Sequence, residues 1–189
     1  MVTLVKIVGE SPVKDGFWPV HVDEETGALT VSDAVHHQIH LGQLFSVGYG
    51  AEGIADDGVV EILLQVPTTL DEAHIRIDGV AGGNAQFFLF EGTTFSAAGT
   101  SLTSINQNRK SANTALVTAT HTPTITGDGT EIVSGYIVGG SGGNAQGGIA
   151  ALFQEIALNP GDDYLLRLKN LAGTAQLLAI SAHWYEIPD

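Results

Sequence analysis

The chain has 189 residues, of which 21 are Asp or Glu and 7 are Lys or Arg, so its formal net charge at pH 7 is −14. Nucleic acids and anionic membranes are bound through clustered Lys and Arg side chains, so this composition argues against both classes of partner. Cysteine is absent, which excludes disulfide frameworks and thiolate metal sites.

The first forty residues differ in composition from the rest of the chain. They contain Pro12, Pro19 and the acidic run Asp23-Glu24-Glu25, with few adjacent apolar residues. We therefore expect residues 1–40 to form an extended N-terminal arm that is ordered by a partner, and residues 41–189 to form the folded domain. The sequence shows neither a secretory signal nor a membrane span, which predicts folding in a cytoplasm-like compartment.

Three histidines, His36, His37 and His40, lie at the end of this arm. On a helix their spacing would place two imidazoles on one face, where they could hold Zn²⁺. The zinc protease motif is absent and Gly42 follows closely, which disfavours a helix, so we predict interface histidines and no metal site. The remaining alternative is a contact that weakens on acidification, because imidazole titrates near pH ~6.5.

The remainder of the chain has the pattern of an all-β protein. Short apolar or alternating segments recur between turns rich in Gly, Asp, Asn and Pro, and no helical stripe is evident, the best window being Gly148–Gln154. This pattern predicts a β-sandwich or barrel. The predicted strands are Val2–Val8, Ala28–Val31, Leu44–Tyr49, Val59–Val66, Ala73–Val80, Gln86–Glu91, Ala115–His121, Glu131–Val138, Ile149–Ile156, Tyr164–Asn170 and Gln176–Glu186.

Two turns stand out in this pattern. Gly127-Asp128-Gly129 lies between two strand-like segments, so we interpret it as a hairpin tip in which Gly adopts a positive φ. The sequence Gly-Gly-Asn-Ala-Gln occurs at residues 82–86 and again at 142–146. The repeat reflects either chance in a Gly-rich chain or two equivalent loops at one end of a two-sheet sandwich.

A long segment without a clear strand pattern runs from Gly92 to Asn113. It contains Asn106, Asn108 and Arg109, followed by Lys110, and so holds two of the chain's few cations. Long loops in compact domains are usually functional, and Arg and Asn suit multidentate polar contacts. We predict that Asn106, Asn108 and Arg109 are interface residues; the alternative is that Arg109 only offsets the acidic surface.

No motif supports catalysis. The Gly139-x-Ser141-x-Gly143 spacing is not followed by a helical segment, and phosphate-binding loops are absent. The acidic loops lack the pattern of a calcium-binding loop and are typical of turns. We therefore expect no enzyme, no catalytic residue and no cofactor, although two carboxylates brought together by the fold would leave a glycosidase open.

Three groups of residues resemble small virion proteins of tailed bacteriophages. His37-Gln38-Ile39-His40-Leu41-Gly42-Gln43-Leu44-Phe45 is similar to their H-x-I-H-x-G-x-x-F stretch. Asn106-x-Asn108-Arg109, His121-Thr122-Pro123-Thr124 and Gly129-Thr130 follow in the same order as in that group. Tyr164–Asn170 and Trp184-Tyr185-Glu186 are similar to its closing strand pair.

The resemblance implies a jelly-roll-like antiparallel β-sandwich and a capsid decoration (cement) protein without catalytic residues. It implies a homotrimer on the exterior of the virion capsid, bound to the major capsid protein and synthesised in the bacterial host cytoplasm. The alternative function is a tail-fibre or receptor-binding module that recognises a cell-surface glycan. The candidate aromatic residues for such a site are Trp18, Trp184 and Tyr185.

Overall fold

The computed structural model describes residues 34–139, 148–151 and 155–188. The predicted strands Val2–Val8 and Ala28–Val31 lie outside these residues, and so does the second Gly-Gly-Asn-Ala-Gln copy at residues 142–146. None of the described helical segments is long and apolar enough to cross a bilayer. The described elements are α1 (Ala34–Leu41), β1 (Leu44–Ile54), β2 (Val59–Gln65), β3 (Leu70–Ala81), β4 (Ala85–Glu91), β5 (Thr94–Ala97), β6 (Thr100–Leu102), β7 (Ile105–Asn106), β8 (Thr118–His121), β9 (Thr124–Gly127), β10 (Thr130–Ile137), β11 (Gly148–Ala151), β12 (Ile156–Leu158), β13 (Asp163–Asn170) and β14 (Gln176–Pro188).

Two six-stranded antiparallel sheets make up the sandwich. The first sheet has the order β11-β3-β14-β1-β7, with β12 also paired to β3, and the second has the order β10-β4-β13-β2-β8-β6. A separate two-stranded ribbon joins β5 and β9. This arrangement confirms the prediction of an all-β, jelly-roll-like antiparallel sandwich.

The last two strands occupy the middle of both sheets. β14 lies between β3 and β1, and β13 lies between β4 and β2. Trp184 on β14 is therefore opposite Ile75 on one side and Phe45 on the other. Because each of these central strands is paired along both edges, β13 and β14 each connect the strands on either side of them within one sheet.

Alternation along the strands divides core from surface. On β13, Tyr164, Leu166 and Leu168 belong to the buried core between the sheets. The intervening Arg167 and Lys169 are half-buried on the opposite face. This period of two follows from the pleat of a strand and explains why the strand predictions were reliable here.

The turn at Gly127-Asp128-Gly129 joins strands that do not pair with each other. Gly129 has a φ of 90°, as predicted, and a Cβ there would lie 2.2 Å from the Glu91 carbonyl oxygen. However, β9 pairs with β5 whereas β10 pairs with β4. The hairpin prediction is therefore wrong: the local turn chemistry was correct, but long-range pairing assigned the two strands to different sheets.

The segment from Gly92 to Asn113 is not a single long loop. It contains β5, β6 and β7, which are four, three and two residues long. Strands this short show too few alternations to be recognised by pattern. The window at residues 148–154 contains β11, an edge strand beside β3, and no helix is described there.

Residues 34–40 are helical, so the expectation of an extended arm is wrong for this part of it. Gly42, which was interpreted as disfavouring a helix, is its C-terminal cap, with a φ of 69°. The Gly42 amide donates to the Ile39 carbonyl and the Gln43 amide donates to the Gln38 carbonyl, both at 3.0 Å. These two bonds form a Schellman motif, in which glycine supplies the left-handed conformation that ends a helix.

A compact unit begins at Gln38 and runs to the end of the chain, and a separate unit covers residues 1–37. The predicted boundary between residues 40 and 41 lies within three residues of this division. The larger unit contains both sheets. Residues 34–37 are the described part of the smaller unit.

Candidate functional site

Asn106 connects the segment after β7 to the start of β1. It is 8% exposed, and its side-chain amide donates to the carbonyl oxygens of Gly42 at 2.9 Å and Asn113 at 3.0 Å. Its side-chain oxygen accepts a bond from the Asn108 amide at 2.9 Å. Because its polar atoms have partners within the chain, Asn106 shapes the segment rather than offering a free group to a partner. We refer to residues 106–117 as the Asn loop.

Two further asparagines in the Asn loop bind the C-terminal end of α1. Asn108 donates to the His40 carbonyl at 3.2 Å, and Asn113 donates to the Leu41 carbonyl at 3.3 Å and the Gly42 carbonyl at 3.2 Å. The last carbonyls of a helix have no partner inside the helix and need donors from elsewhere. The Asn side chains supply those donors, so the loop and the helix end stabilise each other.

Gly42 lies at the centre of this contact. Besides its positive φ, a Cβ at Gly42 would lie 2.3 Å from the Ser111 hydroxyl oxygen, which is closer than atoms can approach. The same glycine therefore ends α1 and admits the Asn loop. The Ser111 hydroxyl accepts a bond from the Asn113 amide at 3.1 Å, which fixes the conformation of the loop at its closest approach to Gly42.

The Asn loop presents Arg109 and Lys110, which are both exposed. Arg109 donates to the Asn106 carbonyl at 3.4 Å. The other three cations that the structure describes form ion pairs: Arg76 with Glu155 at 3.3 Å, Arg167 with Glu61 at 2.6 Å and Lys169 with Asp57 at 2.7 Å. Within the described residues, Arg109 and Lys110 are thus the cations without a carboxylate partner.

A cleft of about 410 Å³ lies between the Asn loop and the start of β1. Glu186 forms part of its lining and is almost completely buried. Its carboxylate accepts bonds from the backbone amides of Leu116 and Val117 at 2.9 Å and from the Trp184 indole at 2.9 Å. Buried carboxylates need such donors, so Glu186 fixes the far end of the loop to β14.

Exposed apolar side chains accompany this cleft. Leu116 lines it, and Leu41 follows His40 at the helix end that the Asn loop binds. Ile105 is on β7, the edge strand that carries Asn106. All three are more than one-third exposed. Exposed apolar residues next to fixed polar groups are typical of protein interaction surfaces.

Four of the six predicted site residues meet here: His40, Asn106, Asn108 and Arg109. His36 and His37 belong to the smaller unit, whereas His40 belongs to the larger one. All three histidines are exposed on α1. Within the residues that the structure describes, no group of three or more His, Cys, Asp or Glu side chains is arranged to hold a metal ion.

A polar cluster on the outer face of the first sheet was missed by the sequence interpretation. The two ring nitrogens of His74 lie 3.0 Å from Glu72 and 2.9 Å from Glu155, and the imidazole stacks on Tyr185 with ring centroids 4.7 Å apart. Glu155 also accepts bonds from Arg76 and from the Tyr185 hydroxyl. Burial, followed by the bond to Glu155, raises the pKa of Tyr185 well above its usual range.

This cluster anchors Glu155, which lies just before β12, to β3 and β14. Glu72, His74 and Arg76 alternate along β3, so their shared face was readable from the period of two. Nothing in the sequence indicated that Glu155, about eighty positions away, would join them. The same holds for Glu186, whose partners at Leu116 and Val117 are distant in sequence.

The aromatic residues considered for a glycan site are not arranged as an open platform in the described part of the chain. Trp184 is 1% exposed and packs against Phe45 with ring centroids 6.1 Å apart. Tyr185 is half-buried and its hydroxyl is bound to Glu155. Trp18 lies outside the described residues.

Comparisons with known proteins assign no family. No protein-family model matches the chain, and no curated protein matches it. Among solved structures, it is aligned with the D431N mutant VP2 protein of Infectious Bursal Disease Virus in derived T=1 particles, with 13% identity and a TM-score of 0.12. That alignment covers 100% of this chain, which spans 49% of the VP2 chain. A likeness this low carries no argument about fold or function.

Proposed function

We propose that this protein is a structural component of a bacteriophage virion that decorates and stabilises the capsid by non-covalent contacts. The observation that carries the proposal is the Asn loop. Two of the sequence motifs that resemble virion proteins, residues 37–45 and 106–109, are separated in sequence but bind each other directly. Asn106 and Asn108 donate to Gly42 and His40.

The electrostatics of the loop support a role in binding. In a chain of net charge −14, two adjacent cations without a carboxylate partner in the described residues are available to acidic groups of another protein. Charge-assisted hydrogen bonds from Arg are among the stronger polar contacts. Because internal hydrogen bonds already hold the loop, little conformational entropy remains to be lost on association.

The proposed partner is the major capsid protein, and the proposed location is the capsid exterior. High negative charge keeps many copies of a protein apart before assembly, which suits a component made in large numbers in the host cytoplasm. The homotrimer implied by the sequence resemblance remains a prediction, as does the ordering of the N-terminal arm, residues 1–40, by a partner.

The location is tested on purified virions of the phage that encodes this chain. Cryo-electron microscopy is expected to show density that fits the two-sheet sandwich at regular positions over the head. Density for the protein at the tail alone would contradict capsid decoration. A glycan array with the purified protein provides the complementary measurement, since specific glycan binding would favour a receptor-binding module.

The binding residues are tested with capsids that lack the protein. Arg109→Ala is expected to weaken capsid binding by about tenfold or more, because losing a charge-assisted hydrogen bond costs about 1.5–3 kcal/mol. The matched control is Arg76→Ala, which removes the same charge from the outer face of the first sheet. Equal binding by both variants and the unchanged protein would show that the Asn loop is not the capsid contact.

A further inference from the structure

β10 forms one edge of the second sheet. It pairs with β4 along one side, and within the described part of the chain no strand pairs with its other side. The amide and carbonyl groups along such an edge can hydrogen-bond to another strand. At eight residues, β10 is longer than the strand at the opposite edge, β6, which has three.

The sequence of β10 does little to prevent such pairing. Natural proteins protect exposed edges with Lys, Pro, bulges or very short strands. From Ile132 to Val138 the chain contains no charged residue and no proline. A register shift between Glu131 and Val133 disturbs one end of the strand, but Val133–Ile137 pairs regularly with β4.

Exposed apolar side chains lie along this edge. Tyr136 is 69% exposed and Val138 is 79% exposed, the highest values among the large apolar residues described. Tyr136 is opposite Gln86 on the outer face of the sheet, whereas Ile137 is buried in the core. The edge thus combines backbone groups that no described strand pairs with, an uncharged sequence and exposed apolar side chains, in a chain that is otherwise strongly acidic.

We propose that β10 pairs antiparallel with β10 of a second copy of this chain, about a two-fold axis at Gly135. In this register Gly135 faces its own counterpart, Val133 of one copy faces Ile137 of the other, and Ser134 faces Tyr136. The two second sheets become one continuous sheet across the dimer. Such an interface is isologous, with the same strand used by both copies.

Side-chain positions make this register self-complementary. Val133 and Ile137 both contribute to the apolar layer between the sheets, so pairing them extends that layer across the interface. The Glu131 carboxylates lie at opposite ends of the paired strands, eight residue positions apart. At about 3.3 Å per residue they are roughly 26 Å from each other, which is more than twice the Debye length of about 10 Å. Repulsion at the edge is therefore weak.

A dimer of this kind goes beyond capsid decoration and does not depend on it. It uses an edge strand of the second sheet that lies outside the Asn loop. The dimer and the trimer implied by the sequence resemblance are alternatives, which the oligomeric state of the full chain decides. Loss of capsid binding in Arg109→Ala would leave the β10 pair intact. Failure of the β10 pair would leave the Asn loop contact unaffected.

Cysteine cross-linking tests both the pairing and its register, because the chain has no cysteine of its own. Gly135→Cys introduces a thiol where a Cβ meets nothing within 4 Å and where the backbone φ is not positive. Directly opposed residues have Cα atoms about 4.5–5.5 Å apart, which is within disulfide range. Mild oxidation is therefore expected to convert most of Gly135→Cys to a covalent dimer.

Ser134→Cys is the matched control, since in this register the two Ser134 positions are offset by two residues and lie beyond disulfide range. It is expected to remain largely uncrosslinked under the same oxidation. Efficient cross-linking of Ser134→Cys, or none in either variant, would overturn the proposed register.

Sedimentation equilibrium of the full chain tests the association itself. The unchanged protein is expected to dimerise. Tyr136→Glu is expected to weaken the dimer by about tenfold or more, because it removes the contact of the Tyr136 ring with Ser134 of the other copy and adds a negative charge at the interface. Leu177→Glu adds the same charge at an exposed apolar position of the first sheet and is expected to leave the dimer unchanged. A monomer, a trimer, or equal effects of the two variants would overturn the proposal.

Discussion

Individual asparagines determine how the Asn loop is held. Asn106 and Asn108 were singled out in the sequence as residues for contact with a partner, and the structure shows them bound to the chain itself. Composition and local context cannot distinguish these roles, because an amide that satisfies a helix end and an amide that binds a partner have the same chemistry. The distinction depends on which carbonyls the fold places within reach.

We predict that Asn106→Ala destabilises the protein by about 2–3 kcal/mol, because the Gly42 and Asn113 carbonyls and the Asn108 amide lose a buried partner. Urea unfolding followed by circular dichroism measures the free energy of unfolding. Lys110→Ala, an exposed change in the same loop, is expected to change it by less than about 0.5 kcal/mol. Similar stabilities for the two variants would show that Asn106 is not a structural residue.

At the level of elements, the turn between β9 and β10 shows how a local motif can be correct while the pairing is wrong. Asp128 at the tip of the turn forms two hydrogen bonds with Arg167 on β13, both at 2.8 Å. Arg167 also binds Glu61 on β2 and lies 5.3 Å from the centre of the Phe90 ring. The bonds between Asp128 and Arg167 therefore hold the turn against the outer face of the second sheet, and the turn does not connect two paired strands.

This ion pair has a pH dependence whose sign follows from the pKa of Asp128. The bond to Arg167 lowers the folded-state pKa of the Asp128 carboxyl below its usual range. A carboxyl with a lowered folded-state pKa stabilises the protein above its unfolded pKa of about 3.9, and this contribution is lost as the pH falls through the folded-state pKa. Because the Asp128 side chain is 46% exposed, we expect solvent to screen the effect to a small size.

We predict that Asp128→Asn is less stable than the unchanged protein near pH 6 and that the difference shrinks as the pH falls below about 4. Denaturant unfolding at a series of pH values and low salt measures it. Glu131→Gln removes a carboxylate from an exposed position on β10 and provides the control. A difference for Asp128→Asn that stays constant between pH 6 and pH 3 would contradict the assigned ion pair.

At the scale of the whole molecule, the sandwich is completed by the end of the chain. β14 pairs with both β1 and β3, and it contributes Leu178, Ile180 and Trp184 to the core. The larger compact unit begins at Gln38. The two ends of the chain are therefore expected to differ sharply in their importance for folding.

We predict that deleting residues 1–33 leaves a cooperative thermal unfolding transition, whereas deleting residues 176–189 abolishes it. The second deletion is the shorter of the two, but it removes a central strand and leaves β1 and β3 without the partner that pairs with both of them. Circular dichroism melts of both truncated chains provide the measurement. Loss of cooperativity in the first truncation would mean that the N-terminal residues belong to the core.

The sequence by itself determined the fold class and most of the longer strands. Side chains alternate across a strand, so segments such as Val59–Val66 and Tyr164–Asn170 are recognisable from neighbouring residues alone. The positive φ of Gly129 was equally local, since it depends on the missing side chain of one residue. The short strands β5, β6 and β7 were missed because two to four residues give too little periodicity.

Only the tertiary structure decided which strands share a sheet and which polar groups meet. Three contacts join residues that are far apart in the chain. β9 pairs with β5, Glu186 is buried against the Leu116 and Val117 amides, and Glu155 binds His74. Such contacts depend on the competition among all strands for partners and on the need to satisfy every buried polar group at once. A local window of sequence contains neither constraint. It does contain the alternation of side chains along a strand and the glycine that a positive φ requires.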